Sequence, residues 1–223
     1  MALIETFELC KYYQNGTIVK AVDGVNLKIE EGEFTSVVGP SGSGKTTLLN
    51  LLGGIDRPTK GKVILDGIEI SSLPERKLSE LRLRKIGFVF QSYNLIPVLT
   101  AFENVEFVLI LRGFSKKERR EKVMKVLRDV GLEKLADRPL TKLSGGEQQR
   151  VAVARAIVGE PKIVLADEPT ANLDSENAIA LVELMRKLNE EKGITFILST
   201  HDNRVVERTK RIIKLVDGKI IQS

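Results

Sequence analysis

One stretch limits the fold of this chain more than any other. It is Gly39-Pro40-Ser41-Gly42-Ser43-Gly44-Lys45-Thr46, set between an apolar run at 34–38 and a helical period at 45–52. G-x-x-x-x-G-K-[ST] between a strand and a helix is a phosphate-binding loop. Its glycines let successive backbone N–H groups point inward as an anion nest. The helix starting near Lys45 adds the partial positive charge of its N-terminus. Lys45 is placed to hold β- and γ-phosphates, and Thr46 to put its hydroxyl on Mg²⁺.

The rest of the pattern agrees. Residues 4–9, 25–29, 34–38 and 62–65 read as short strands, with turn chemistry at Asn15-Gly16, Asp23-Gly24, Glu31-Gly32 and Asp66-Gly67. Residues 75–84 and 116–130 have a helical period. In the second, Val123, Val126, Leu127 and Val130 share a face and Gly131 ends the helix. A helix at 146–158, a buried strand at 162–166, a helix at 175–191 and a strand at 195–199 follow. Ser175 is the predicted cap of the 175–191 helix, with Ile179, Val182, Met185 and Leu188 facing the core. Residues 212–216 and 219–222, joined by Asp217-Gly218, read as a hairpin. Alternation of strand and helix predicts an α/β fold with a mostly parallel sheet.

Composition narrows the class. At 223 residues, with 42% hydrophobic and 29% charged residues, the chain suits one domain with its own core. No apolar run approaches the roughly 20 residues of a spanning helix, and the N-terminus lacks a signal-peptide pattern. Cys10 is the only cysteine, which rules out an intrachain disulfide and fits a reducing compartment. The net charge of +5 allows an anionic partner. Its lysines and arginines alternate with glutamates, as on a solvated helix face, and aromatics are 5% of residues, so no nucleic-acid partner is expected.

Two further motifs carry chemistry. Ile163-Val164-Leu165-Ala166 ends in Asp167-Glu168, and carboxylates at the end of a buried strand are costly unless they serve a cation or a reaction. Asp167 fits a Mg²⁺-orienting carboxylate and Glu168 a residue reaching water beside the γ-phosphate. Leu143-Ser144-Gly145-Gly146-Glu147-Gln148-Gln149-Arg150 again places bare N–H groups and a hydroxyl at a helix start.

With this last run the chain resembles an ATP-binding-cassette (ABC) ATPase, and the resemblance covers essentially all of it. Gln91 matches the Q-loop glutamine, Asn172-Leu173-Asp174 the D-loop and His201 the switch histidine. Tyr13, with Tyr12 beside it, matches the adenine-stacking aromatic. Leu52-Gly53-Gly54-Ile55-Asp56-Arg57-Pro58-Thr59 and Leu99-Thr100-Ala101-Phe102-Glu103-Asn104-Val105 resemble the lipoprotein-releasing and macrolide-exporting branch. Glu147 stands where the family often has Gln, and Ala171 where this branch usually has Gly; neither removes a phosphate-binding group.

The resemblance implies a phosphate-loop NTPase core with an antiparallel β lobe, spanning 1–91 and 141–223, and a helical lobe at 92–140. It implies an ATPase that powers a membrane transporter, with ATP and Mg²⁺ as cofactors. ATP would contact Tyr13, Gly39, Pro40, Ser41, Gly42, Ser43, Gly44, Lys45, Thr46, Thr47, Ser144, Gly145, Gly146 and Asp174. The metal would take Thr46, Gln91 and Asp167, and Glu168, His201 and Gln91 would serve catalysis. Two copies would sandwich two ATPs, each between one phosphate loop and the other copy's Ser144-Gly145-Gly146. Separately encoded transmembrane permease subunits would hold the chain at the cytoplasmic face of the membrane. Two rivals are an ABC ATPase acting on DNA or ribosomes and a phosphate-loop kinase or GTPase. Gln91 and Leu143 are 52 positions apart, which leaves no room for the long coiled coil common in the first. The second leaves the signature run unexplained.

Overall fold

The computed structural model describes residues 2–222. The chain opens with a long antiparallel hairpin, β1 (Ala2–Asn15) and β2 (Thr17–Glu30), turning at Gly16. Two short strands were predicted here, with a turn at Asp23-Gly24. Instead Asp23-Gly24 lies inside β2 as a bulge. The register runs from Leu9↔Val25 to Lys11↔Val22, so β2 carries one extra residue, and Gly24 takes the positive φ (70°) that the bulge needs. After β3 (Phe34–Val38) and α1 (Lys45–Leu52), β4 (Lys60–Leu65) and β5 (Ile68–Glu69) complete an antiparallel sheet in the order β2-β1-β4-β5.

The chain continues through α2 (Glu75–Lys85), β6 (Ile86–Val89), α3 (Ala101–Leu111) and α4 (Lys116–Asp129). Two short 3-10 turns lead to α5 (Gly145–Ile157), β7 (Ile163–Asp167), α6 (Ser175–Lys192) and β8 (Thr195–Thr200). A single turn, α7 (Asn203–Val206), precedes the hairpin β9 (Arg211–Val216) and β10 (Lys219–Gln222). The second sheet runs β10-β9-β3-β8-β7-β6, parallel except for β10. The predicted α/β class with an antiparallel β lobe is what is found.

Helix ends follow local chemistry. α3, absent from the predicted helices, starts at a capping box between Thr100 and Glu103. α4 ends as predicted, with Gly131 at φ 74°. The predicted cap Ser175 is displaced by one residue: Asp174 accepts from Asn177 N at 2.9 Å, because a carboxylate complements the helix N-terminus better than a hydroxyl. Val182, Met185 and Leu188 are buried as expected, whereas Ile179 is half-buried.

Two cores flank the parallel sheet. Val164, Ala166, Phe196 and Leu198 face one core with α3 to α6, while Ile163, Leu165 and Ile197 face the other with α1 and the antiparallel sheet. This is the two-residue alternation of strands buried on both faces. Its consequence is positional. Gly39 follows β3, Gln91 lies two residues past β6, Glu168 follows β7 and His201 follows β8. All therefore meet at the carboxyl end of the sheet, where open α/β folds bind ligands.

Candidate functional site

The loop between β3 and α1 is held by packing that admits no side chain. A Cβ on Gly39 would come within 2.1 Å of Leu215 O, and one on Gly44, at φ 102°, within 2.0 Å of Ala21 O. Gly218 N donates to Ser43 O, bracing the loop from the β9–β10 turn. α1 starts without a side-chain cap or an acidic residue in its first turn, unlike α3 to α6. Its bare N–H groups face a cavity of about 660 Å³.

That cavity brings together Ser41, Gly42, Ser43, Gly44, Lys45, Thr46 and Thr47 with Gln91, Glu168 and His201. Lys45 is 8% exposed; its Nζ donates to the carbonyls of Gly39 (2.8 Å) and Pro40 (3.1 Å) and lies 3.8 Å from Glu168 Oε1. Glu168 sits at φ 44°, an uncommon conformation for a residue with a side chain. It is held there by its N–H, shared between Ser199 O (3.2 Å) and Ser199 Oγ (3.0 Å). Its carboxylate meets His201 Nδ1 at 3.0 Å, so Nδ1 carries the proton when Glu168 is ionised. Asp167 Oδ1 accepts from Ser199 Oγ at 2.6 Å and from Thr46 Oγ1 at 3.1 Å.

A hydroxyl and a carboxylate oxygen side by side form a hard donor pair. Among the described residues no three His, Cys, Asp or Glu side chains cluster as a metal cage. As a pair of hard oxygen donors, Thr46 and Asp167 fit Mg²⁺, which is commonly held by one or two carboxylates together with substrate phosphates. Gln91 lines the same cavity.

Tyr13 pairs across the hairpin with Val19, which lines the cavity. Its hydroxyl donates to Asp56 Oδ2 at 2.9 Å, and Lys11 Nζ both pairs with Asp56 (2.6 Å) and sits 5.1 Å over the ring. Burial, then the Asp56 hydrogen bond, raises the Tyr13 phenol's pKa. Tyr12 is committed elsewhere, donating to Asp23 Oδ1 at 2.5 Å, a bond that raises its own pKa. Tyr13 itself does not line the cavity; the strand positions Val19, Lys20 and Ala21 do, and they left no mark in the sequence, because folding of the hairpin alone brings them there.

Ser144, Gly145, Gly146 and Asp174 do not line this cavity. Ser144 caps α5 in a reciprocal box with Glu147, whose carboxyl is held below its usual range by the Ser144 N–H. Here Glu147 has a local task that the usual Gln would share. A Cβ on Gly146 would lie 2.8 Å from Asn177 Oδ1, so the start of α5 packs on the first turn of α6, which Asp174 caps. One chain thus carries an anion-binding pocket and, outside it, a second glycine-rich helix start.

A family model described as ABC transporter matches residues 22–171, more than half of the chain. The chain is 48% identical to an uncharacterized ABC transporter ATP-binding protein of Thermotoga maritima, over 98% of this chain and 93% of that one. It is 46% identical to the lipoprotein-releasing system ATP-binding protein LolD of Anaeromyxobacter dehalogenans, over 98% and 92% respectively. Among solved structures, a dimeric post-hydrolysis state of the ATP-binding cassette MJ0796, bound to ADP and Pi, matches with a TM-score of 0.91. That match has 46% identity and covers 98% of this chain and 97% of the other; MJ0796 is a protein of Methanocaldococcus jannaschii. Because the agreement runs the length of the chain rather than stopping at the phosphate loop, the chain belongs to the ABC transporter family, as one of its ATP-binding ATPase subunits.

Proposed function

We propose that the chain powers a membrane transporter by closing as a homodimer on two ATP molecules and reopening after hydrolysis. One observation carries this reading. The pocket gathers the phosphate loop, Gln91, Glu168 and His201, while Ser144-Gly145-Gly146 stands outside it. A second copy supplies the missing helix start to the nucleotide's exposed side, and Asp174 reaches across the same interface. The dimeric MJ0796 cassette, found with ADP and Pi, supports this arrangement.

In the reaction, Lys45 and the α1 N–H groups neutralise charge on the β- and γ-phosphates. Thr46 and Asp167, with Gln91 from the cavity wall, would hold Mg²⁺, which would supply charge neutralisation at the phosphate oxygens. Glu168 orients a water and takes its proton as the oxygen bonds to the γ-phosphorus and the bridging bond to ADP breaks. His201 is 67% exposed at its side chain and so is free to swing its Nδ1–H from Glu168 to a γ-phosphate oxygen. Tyr13 stacks on the adenine.

Residues 92–140 act in this scheme as a helical lobe presenting the signature, and 1–91 with 141–223 as the nucleotide-binding core. Among the described residues no helix is long and apolar enough to cross a membrane. In this scheme separately encoded permease subunits recruit the chain to the cytoplasmic face of the membrane. The test is twofold: Mg²⁺-dependent release of phosphate from ATP by the purified chain, and copurification with a membrane protein from its source. Copurification with ribosomes or DNA would favour the non-transport alternative.

A further inference from the structure

Gln149, on α5, is fully buried and has no part in the scheme above. Its Nε2 donates to Pro169 O at 2.8 Å and to Phe90 O at 3.3 Å. Those carbonyls belong to the residue directly after Glu168 and the residue directly before Gln91. Only the NH₂ end of the amide is able to face two carbonyl oxygens, which fixes its orientation. Its Oε1 is then buried with no hydrogen-bond partner. A bare acceptor in the interior is unfavourable, and an apolar side chain of equal size would avoid it, so filling space does not explain an amide here. Joining segments does: one planar group ties α5 to two stretches 59 and 20 residues away.

We propose that Gln149 is a positioning residue that links the signature end of α5 to this chain's own Gln91 and Glu168. The proposal rests on the sandwich reading, in which Ser144 faces the partner's nucleotide. Ser144 caps the helix five residues ahead of Gln149, under one and a half turns away. A displacement of that helix start on nucleotide contact is carried rigidly to the amide. From there it passes to both carbonyls together, so Gln91 and Glu168 shift as a pair. A second side chain of α5 secures the far side of the same segment: Arg155 donates to Tyr93 O and Asn94 O, and both residues hold positive φ, 63° and 49°. Arg155 touches only the Gln91 side, whereas Gln149 reaches both. In this way occupancy of the partner's site sets the geometry of the chain's own water-activating groups.

The test is Gln149→Met in the full chain, which keeps length and volume and removes both donors. The expected result is a kcat at least tenfold lower, with the KM for ATP within threefold of wild type and an unchanged thermal midpoint. Gln149→Asn, one methylene too short to reach both carbonyls, gives the same split and carries the test if the Met variant does not fold. A kcat within twofold of wild type in either folded variant overturns the proposal. So does a parallel loss of kcat, ATP affinity and thermal midpoint, which marks a packing role. The sandwich reading fails separately: wild-type specific activity that does not vary with protein concentration from nanomolar to micromolar would sink it, whatever Gln149 does.

Discussion

Glu168→Gln separates chemistry from binding at the site. The substitution keeps the side chain's shape and one oxygen that accepts from His201, now 3.0 Å away. It leaves untouched the Ser199 contacts that fix the left-handed backbone at residue 168. What disappears is the proposed proton acceptor. General-base catalysis contributes roughly 10²–10⁴-fold, so the barrier should rise by about 3–5 kcal/mol. The effect on binding has the opposite sign. Lys45 Nζ and Glu168 Oε1 lie 3.8 Å apart, with side chains 8% and 15% exposed. Unit charges at that spacing attract by about 4 kcal/mol at an effective dielectric of ~20, before desolvation is subtracted. The carboxylate therefore competes with the triphosphate for Lys45 and also repels it. Removing its charge should leave ATP bound at least as tightly. Phosphate release measured against ATP concentration should show kcat lower by two to four decades with KM unchanged or reduced. A kcat within tenfold of wild type would rule out Glu168 as the proton acceptor, and a KM raised more than tenfold would rule out its competition with the triphosphate for Lys45.

Ser144→Arg should leave ATP binding by the isolated chain intact, since Ser144 is outside the pocket, yet stop turnover by obstructing the sandwich. Loss of the α5 cap costs about 1 kcal/mol, which calorimetry should register as a fall of about 2–4 °C in the thermal midpoint. Gly44→Ala forces a side chain into φ 102° and to within 2.0 Å of Ala21 O. Strain of about 1–2 kcal/mol plus that overlap should lower the midpoint by more than the Ser144 change and abolish ATP binding in equilibrium titration. His201→Ala should cut turnover at least tenfold while sparing ATP affinity; turnover within twofold of wild type would show that the Glu168 contact is only structural.

The part of the pocket formed at the carboxyl ends of the strands is legible, because strand ends are marked by local pattern, whereas Val19, Lys20 and Ala21 are not. Gly39 to Thr46, Asp167-Glu168 and His201 each follow an apolar run. The long hairpin was harder to read. Asp-Gly is a strong turn signal, but at Asp23-Gly24 the same positive φ serves a bulge, and Asp23 N pairs with Gly218 O from the far end of the chain. α3 was obscured by its mixture of aromatic and β-branched residues, which suits strands equally well; the Thr100 and Glu103 box was its local marker. Ser175 lost the cap to its neighbour Asp174, a one-residue ambiguity that composition does not resolve. Gln149 was beyond reach, because its meaning depends on Phe90 and Pro169 being brought to one point by tertiary packing.

If two copies of the chain close on ATP as proposed, the oligomeric state of Glu168→Gln reports it, because the variant holds its nucleotide without turning it over. Light scattering after size exclusion, at micromolar protein and low salt, should find a monomer without nucleotide, a monomer with ADP and a dimer with ATP. Low salt matters because added ions screen the residual charge effects across the interface. Adding Ser144→Arg to the same variant should restore the monomer in ATP. An ATP-loaded Glu168→Gln chain that remains monomeric, or one that dimerises equally with ADP, would contradict the account.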